Sequence, residues 1–166
     1  MKLILDHTAV QQKINRMAYE VYERYYAFSR IVFAGIEERG AELGKHIKAT
    51  FDRLPDAPPS AFISLRINKD APLNQEVILS ASPGDCKDAC VVLVDDVLNS
   101  GRTLFFAMEP FMQMEVRQLS VLVLINRSHR RFPVAADVVG MHLATTLFEN
   151  VKVLQSGDSW EVYLEA

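Results

Sequence analysis

The chain has 166 residues, 49 % of them hydrophobic and 23 % charged, with a formal net charge of −3 and a pI near 5.8. That length suits one domain with a sizeable core, and the whole of 1–166 is expected to form it. The mild acidity excludes a general attraction to nucleic acid, and no apolar run approaches the roughly 20 residues that a membrane helix needs. The opening "MKLILDHTAV" has one lysine and a short apolar run broken by a carboxylate, unlike a signal peptide, so a cytoplasmic protein with no membrane partner is expected. Cys86 and Cys90 have no second cysteine pair, and the histidines at 7, 46, 129 and 142 are scattered. Free thiols are expected rather than a zinc site.

From Asp6, the spacing of Val10, Ile14, Met17 or Ala18, Val21 and Tyr25 predicts a long amphipathic helix capped by Asp6 or Thr8. "RIVFAG" (30–35) reads as a short strand. The loop "GIEERG" follows, and then a helix in which Leu43, Ile47 and Phe51 share a face. The proline-rich "LPDAPPS" breaks the chain before the strand "AFISLRI", the loop "KDAPLNQ" and a short strand "EVILSAS". Residues 90–94 are apolar on both faces, as a central parallel strand should be. "GRTLFFAMEPFMQM" predicts a helix that Pro110 kinks or ends. "QLSVLVLIN" is the next buried strand, and "DVVGMHL", "VKVLQ" and "WEVYLE" close the chain. Strands alternating with helices imply an α/β fold, a parallel sheet with helices on both faces.

The stretch "VVLVDDVLNSGRTL" (91–104) carries the chemistry. In open parallel sheets, ligands sit at the carboxyl ends of strands, where loops feed into helices. A helix starting near Gly101 has free N–H groups and a positive dipole end, which favour an anion. Gly101 permits close approach, and the hydroxyls of Ser100 and Thr103 can donate to phosphate oxygens. Asp95 and Asp96 suit a polyol or Mg²⁺ rather than a phosphate. Two carboxylates directly after five apolar residues are costly as plain structure. A phosphate beside a ribose diol is the joint reading.

"VVLVDDVLNSGRT" resembles the phosphoribosyl-pyrophosphate signature of the type I phosphoribosyltransferases. The resemblance extends over most of the chain to one branch, the pyrimidine-operon attenuation regulators that are also uracil phosphoribosyltransferases. "LILDHTAVQQKINRMAYEVYER" looks like its opening strand and helix, "VFAGIEERGAELGKHI" like its pyrophosphate loop, and "VLVLINRSHRRFPVAADVVG" like its late strand and nucleobase hood. It implies a hood built from the first few residues and roughly 127–150. It implies Asp95 and Asp96 on the ribose hydroxyls and on Mg²⁺, directly or through water, and Asn99, Ser100, Gly101, Arg102 and Thr103 on the 5′-phosphate. Glu38, Arg39 and Gly40 would form the pyrophosphate loop, with Arg39 the countercharge and, with the two aspartates, a catalytic residue. Arg66 and Lys69 would belong to a flexible loop, and a dimer or higher homo-oligomer is implied.

The base is read from neutral amides. The hypoxanthine-guanine branch has an aspartate at position 99, and Asn99 is no general acid or base, which disfavours a 6-oxopurine. Asn126 can donate to and accept from a pyrimidine edge, with Val139, Gly140 and Met141 as the hood beside it. The expected activity is Mg²⁺-dependent transfer from phosphoribosyl pyrophosphate to uracil or a related pyrimidine; a purine is the alternative base. The chain departs from the uracil branch at Glu37 and Glu38, at Asn126 and Ser128, and in "GMHLATT". Two further readings are a catalytically lapsed nucleotide sensor, suggested by Glu37 and Glu38, and an RNA-binding regulator using Arg16, Arg127, Arg130 and Arg131.

Overall fold

The computed structural model describes residues 1–166, the side chain of Pro83 excepted. After a first strand, β1 (Lys2–Leu5), the Asp6 carboxylate accepts the Ala9 N–H at 2.8 Å and opens α1 (His7–Tyr25). Val10, Ile14, Met17, Ala18, Val21 and Tyr25 are all buried, so the apolar stripe read from the spacing is the packing face. Strand β2 (Ile31–Ile36) leads to α2 (Arg39–Phe51), which buries Leu43, Ile47 and Phe51. Ile36, expected in the following loop, stays in β2 because Leu65 of the next strand pairs with it.

That next strand is β3 (Ser60–Arg66), followed by β4 (Ile78–Leu79), a 3₁₀ turn at Pro83–Cys86, and β5 (Cys90–Leu98). Only two residues of "EVILSAS" pair, antiparallel to Leu65 and Arg66, because β4 lies at the edge and has a single neighbour. The helix expected after Gly101 is divided into α3 (Arg102–Ala107) and α4 (Glu109–Met112). Pro110 supplies no N–H and constrains the residue before it, so it fits the first turn of a new helix and cannot continue the old one. The remaining strands are β6 (Gln118–Arg127), β7 (Val138–Leu143), β8 (Asn150–Ser156) and β9 (Ser159–Glu165).

The main sheet has the order β4-β3-β2-β5-β6-β7, parallel throughout except for β4. Phe33, Val92 and Leu122 pack with α1 and α2 on one face. Val32, Val91 and Val121 pack with Leu104, Ala107 and Phe111 on the other. The central strands are therefore apolar on both sides, as their unbroken Val, Leu and Ile runs require. Both cysteines are free and buried, and burial pushes the Cys90 thiol up to about 12, which keeps it protonated and unreactive.

A second sheet, β1-β9-β8, is antiparallel. The hood expected from the first few residues and roughly 127–150 is thus redistributed: residues 138–143 form the sixth strand of the main sheet, and β8 and β9 join β1 instead. The hairpin joining β8 to β9 turns at Gly157, whose φ of 59° is easily reached without a Cβ. Among the described residues no helix is long and apolar enough to cross a membrane.

Candidate functional site

The carboxyl ends of β2, β5 and β6 bring the chemistry together. Asp95 and Asp96 lie in β5 and are 4 % and 7 % exposed, the only buried carboxylates among the described residues. Their positions are set by the strand itself, since Asp95 pairs with Val123 of β6 and the flanking Val94 with Gly35 of β2. The Asp95 Oδ1 accepts the Asp96 N–H at 2.9 Å, and the Asp96 Oδ1 accepts the Val97 N–H at 2.9 Å. Burial, and then the neighbouring Asp96 charge, push the Asp95 carboxyl up to about 7. A buried acid pair so placed favours a cation or hydroxyl donors over any anion.

Two basic side chains approach the pair. Arg39, the first residue of α2, donates its Nε to Asp96 Oδ2 at 2.7 Å and stays 54 % exposed. Lys69, from the segment between β3 and β4, brings its Nζ to 3.9 Å from Asp95 Oδ1. Gly40 makes the approach of α2 possible: a Cβ there would lie 2.6 Å from the Val94 carbonyl oxygen and 3.0 Å from the Asp95 Cα. The Glu37–Glu38 peptide bond that precedes is cis. Glu37 is paired with Arg66 at 3.1 Å, so one of the two acids in this loop is locally neutralised.

After Leu98 the chain turns through Asn99 and Ser100 to Gly101, which has a φ of 84° that a side chain would strain. Phe105 N–H then donates to the Gly101 carbonyl at 2.9 Å and starts α3. The turn is fixed from outside, because the Ser100 carbonyl accepts the N–H groups of Arg131 (2.9 Å) and Phe132 (3.1 Å). Asp95 and residues 97–104, including Arg102 and Thr103, line a small cavity of about 50 Å³ inside this turn. A larger one of about 350 Å³, in the range of small-ligand sites, shares Asn99 and Ser100 and is bounded by Arg127, His129, Arg131, Leu147 and Asn150.

Asn126, one residue before the end of β6, lies beside Leu98 of β5 on one side and His142 of β7 on the other. Its Nδ2 meets the His142 Nδ1 at 3.3 Å, and its Oδ1 is buried with no hydrogen-bond partner. Val139, Gly140 and Met141, expected as one wall beside the base, are divided: Val139 packs with the α3 side of the sheet and Met141 with the α1 side. They border a different cavity, with Lys13, Arg16 and Glu20 of α1.

The four arginines expected on a nucleic-acid face are not a common solvent-facing cluster. Arg127 is buried and donates to Thr145 Oγ1 (3.0 Å) and to the carbonyl of Glu149 (2.6 Å), tying down the segment before β8. Its strand register turns the side chain inward, which the sequence pattern "RSHRR" does not reveal. Arg16 donates to the carbonyls of Val139 (2.8 Å) and Gly140 (2.7 Å), and Arg130 donates to that of Val134 (3.1 Å). Arg131 and Arg127 both border the larger cavity at the turn. Residue pattern does not single out Asn150 or His142, and only their spatial neighbours mark them.

A family profile described as the phosphoribosyl transferase domain matches residues 1–155. A "Bifunctional protein PyrR" of Streptococcus agalactiae is 34 % identical over 155 residues, 92 % of this chain and 88 % of that protein. The "Bifunctional protein PyrR" of Macrococcus caseolyticus is 28 % identical over 171 residues, 99 % and 98 % of the two chains. Among solved structures, the hypoxanthine phosphoribosyltransferase of Trypanosoma cruzi superposes with a TM-score of 0.76 at 13 % identity, over 98 % of this chain and 95 % of that one. A hypoxanthine-guanine phosphoribosyltransferase of Bacillus anthracis gives 0.71 at 15 % identity, over 86 % and 82 %. At such identities the likeness is one of fold.

Proposed function

Because the chain belongs to the phosphoribosyl transferase family, we propose that it transfers ribose 5-phosphate from phosphoribosyl pyrophosphate to uracil or a closely related pyrimidine. A ring nitrogen of the base bonds to C1 of the ribose as the bond from C1 to the pyrophosphate oxygen breaks, and the nitrogen's proton is released. The carrying observation is the buried Asp95–Asp96 pair immediately before the left-handed turn at Gly101. The turn from Asn99 to Thr103 holds the 5′-phosphate, and the two aspartates accept from the ribose hydroxyls. Arg39, at the start of α2, and Lys69 and Arg66, beside it, receive the negative charge that builds on the leaving pyrophosphate.

The acid pair also fits Mg²⁺. Two hard oxygen donors stand together, and burial, followed by the neighbouring Asp96, opposes the Asp95 negative charge, which a divalent cation would stabilise. Among the described residues no third ligating side chain completes a cluster, so the remaining positions fall to substrate oxygens and water. When bound, the ion neutralises charge on the pyrophosphate. The residues around it orient the donor and shield C1 from water.

The pyrimidine assignment rests on Asn99 and Asn126. Neither amide can exchange a proton with a purine imidazole, whereas the unpartnered Oδ1 of Asn126 is an acceptor for a base N–H. The RNA-regulator reading has weaker support, because three of its four arginines are engaged within the chain. A cytoplasmic homo-oligomer completes the proposal, and the exposed Leu147, which bounds the larger cavity, and Phe148 next to it in the chain are apolar residues that association could cover. The test is pyrophosphate release from phosphoribosyl pyrophosphate and Mg²⁺ with uracil, hypoxanthine, guanine, adenine and orotate in parallel. Turnover with uracil, lost in Asp96→Asn, is expected. Turnover with purines alone overturns the pyrimidine assignment, and silence with every base despite donor binding replaces catalysis with sensing.

A further inference from the structure

We infer that His142 is a positioning residue: in its neutral form it holds the Asn126 carboxamide with Oδ1 presented as an acceptor for a base N–H, an inference that rests on the pyrimidine reading above. The two residues are register partners on β6 and β7, so the sheet itself sets their approach. A carboxamide has opposite hydrogen-bond polarity at its two ends. Asn126 Nδ2 lies 3.3 Å from His142 Nδ1, and in the inferred arrangement the amide donates, that nitrogen carries the lone pair and the ring proton sits on Nε2. The other end of the amide, Oδ1, is then the one left buried without a partner. An unsatisfied buried acceptor is unfavourable until a ligand brings a donor, and the N3–H of uracil between its two carbonyls is such a donor.

Protonation of His142 inverts the arrangement. Two donors would then face each other across the same contact, and half a turn of the carboxamide relieves the conflict by giving Oδ1 to the imidazolium. The buried position then presents an NH₂ group, which matches a ring nitrogen lone pair and repels an N–H. The state of one exposed imidazole thus decides which pyrimidine edge Asn126 accepts. The charged groups around His142 are Lys13, Arg16, Glu20 and Arg24 of α1 and Asp137 ahead of β7. Arg16 and Arg24 are both paired with Glu20, and Asp137 accepts the Val121 N–H, so Lys13 is the cation without an acidic partner in this group.

The test uses the full chain in two experiments. In the ligand-free protein, the side-chain NH₂ signals of Asn126 are followed by ¹⁵N–¹H NMR from pH 5 to 8 in the wild type, in His142→Leu and in His142→Gln. The expected result is that they shift with the titration of the His142 ring and do not move in His142→Leu. In parallel, KM and kcat for uracil are measured over the same range. The wild-type KM for uracil should rise about tenfold on acidification relative to His142→Gln measured over the same range, the usual scale for one lost neutral hydrogen bond. His142→Leu should have a raised KM at every pH. His142→Gln, whose Oε1 can accept from Asn126 Nδ2 at any pH, should keep a low and flat one. Wild-type Asn126 signals that ignore the histidine titration, or a KM profile that His142→Leu leaves unaltered, overturn the inference. Coupled signals in a protein that does not use uracil support the role of His142 and remove the pyrimidine reading alone.

Discussion

Replacing Asp95 by asparagine should stabilise the ligand-free protein, and by an amount that depends on pH. Asp95 is buried, and its carboxyl is raised from 3.8 to about 7, first by desolvation and then by Asp96. A raised folded-state value means that the folded protein holds the proton more tightly than the unfolded chain. Stability therefore falls as pH rises from about 4 to 7, and the full cost is present above that window. The linkage relation puts the cost of the charged Asp95 at about 4 kcal/mol at pH 8 and about 2 kcal/mol at pH 5. Asparagine keeps the Oδ1 acceptor for the Asp96 N–H and carries no charge. Urea unfolding of the wild type and Asp95→Asn, with chelator and without nucleotide, should show the variant more stable at pH 8 and the gap narrowing toward pH 5. A gap that is constant with pH, or a variant less stable at pH 8, would refute the claim that burial and Asp96 oppose the Asp95 charge. The stabilised variant should also lose donor binding, since the proposed function assigns that charge to the ribose hydroxyls and the cation.

Gly40→Ala should separate α2 from the end of β5, because the added Cβ would lie 2.6 Å from the Val94 carbonyl, backbone that cannot rotate away. A stability loss of about 1–3 kcal/mol in urea is expected from such overpacking, together with weakened binding of phosphoribosyl pyrophosphate by calorimetry; unaltered stability would mean that the helix start is free to shift. Arg127→Met should cost about 2–4 kcal/mol, because the buried guanidinium leaves the Glu149 carbonyl and Thr145 without their donor. Amide exchange should quicken over 145–150 while α1 and α2 are unaffected, and a neutral result would show that the segment holds itself.

What could be read locally was read from short-range pattern. The Asp6 cap, the buried stripe from Val10 to Tyr25 and the two-sided apolar strand at 90–94 each depend on neighbours a few residues apart, so helix and strand periodicities expose them. The acidic pair and the glycine turn at 95–103 are likewise contiguous, and their chemistry is evident before any fold is known. Division of the helix at Pro110 follows from the missing N–H of one residue.

Other features depend on which distant strand lies beside which. Arg127 looks like part of an exposed basic run, and only the register of β6 turns it inward onto residues 145–149. Arg16 reaches carbonyls of Val139 and Gly140, more than a hundred positions along the chain, because α1 packs along the open edge of β7. The second sheet unites the two ends of the chain in the order β1-β9-β8, an arrangement that no window of sequence contains. The partner of Asn126 is His142 because one β6–β7 register places them side by side; a shift of one residue would turn the pairing side chains to opposite faces. The chain alone determined the acid pair and glycine turn that the proposed function assigns to a ribose phosphate, and the strand that carries them. Tertiary structure decided which cations meet the acid pair, which arginine is buried and which nitrogen faces the amide, because hydrogen-bond partners are selected by strand order and register across the sheet.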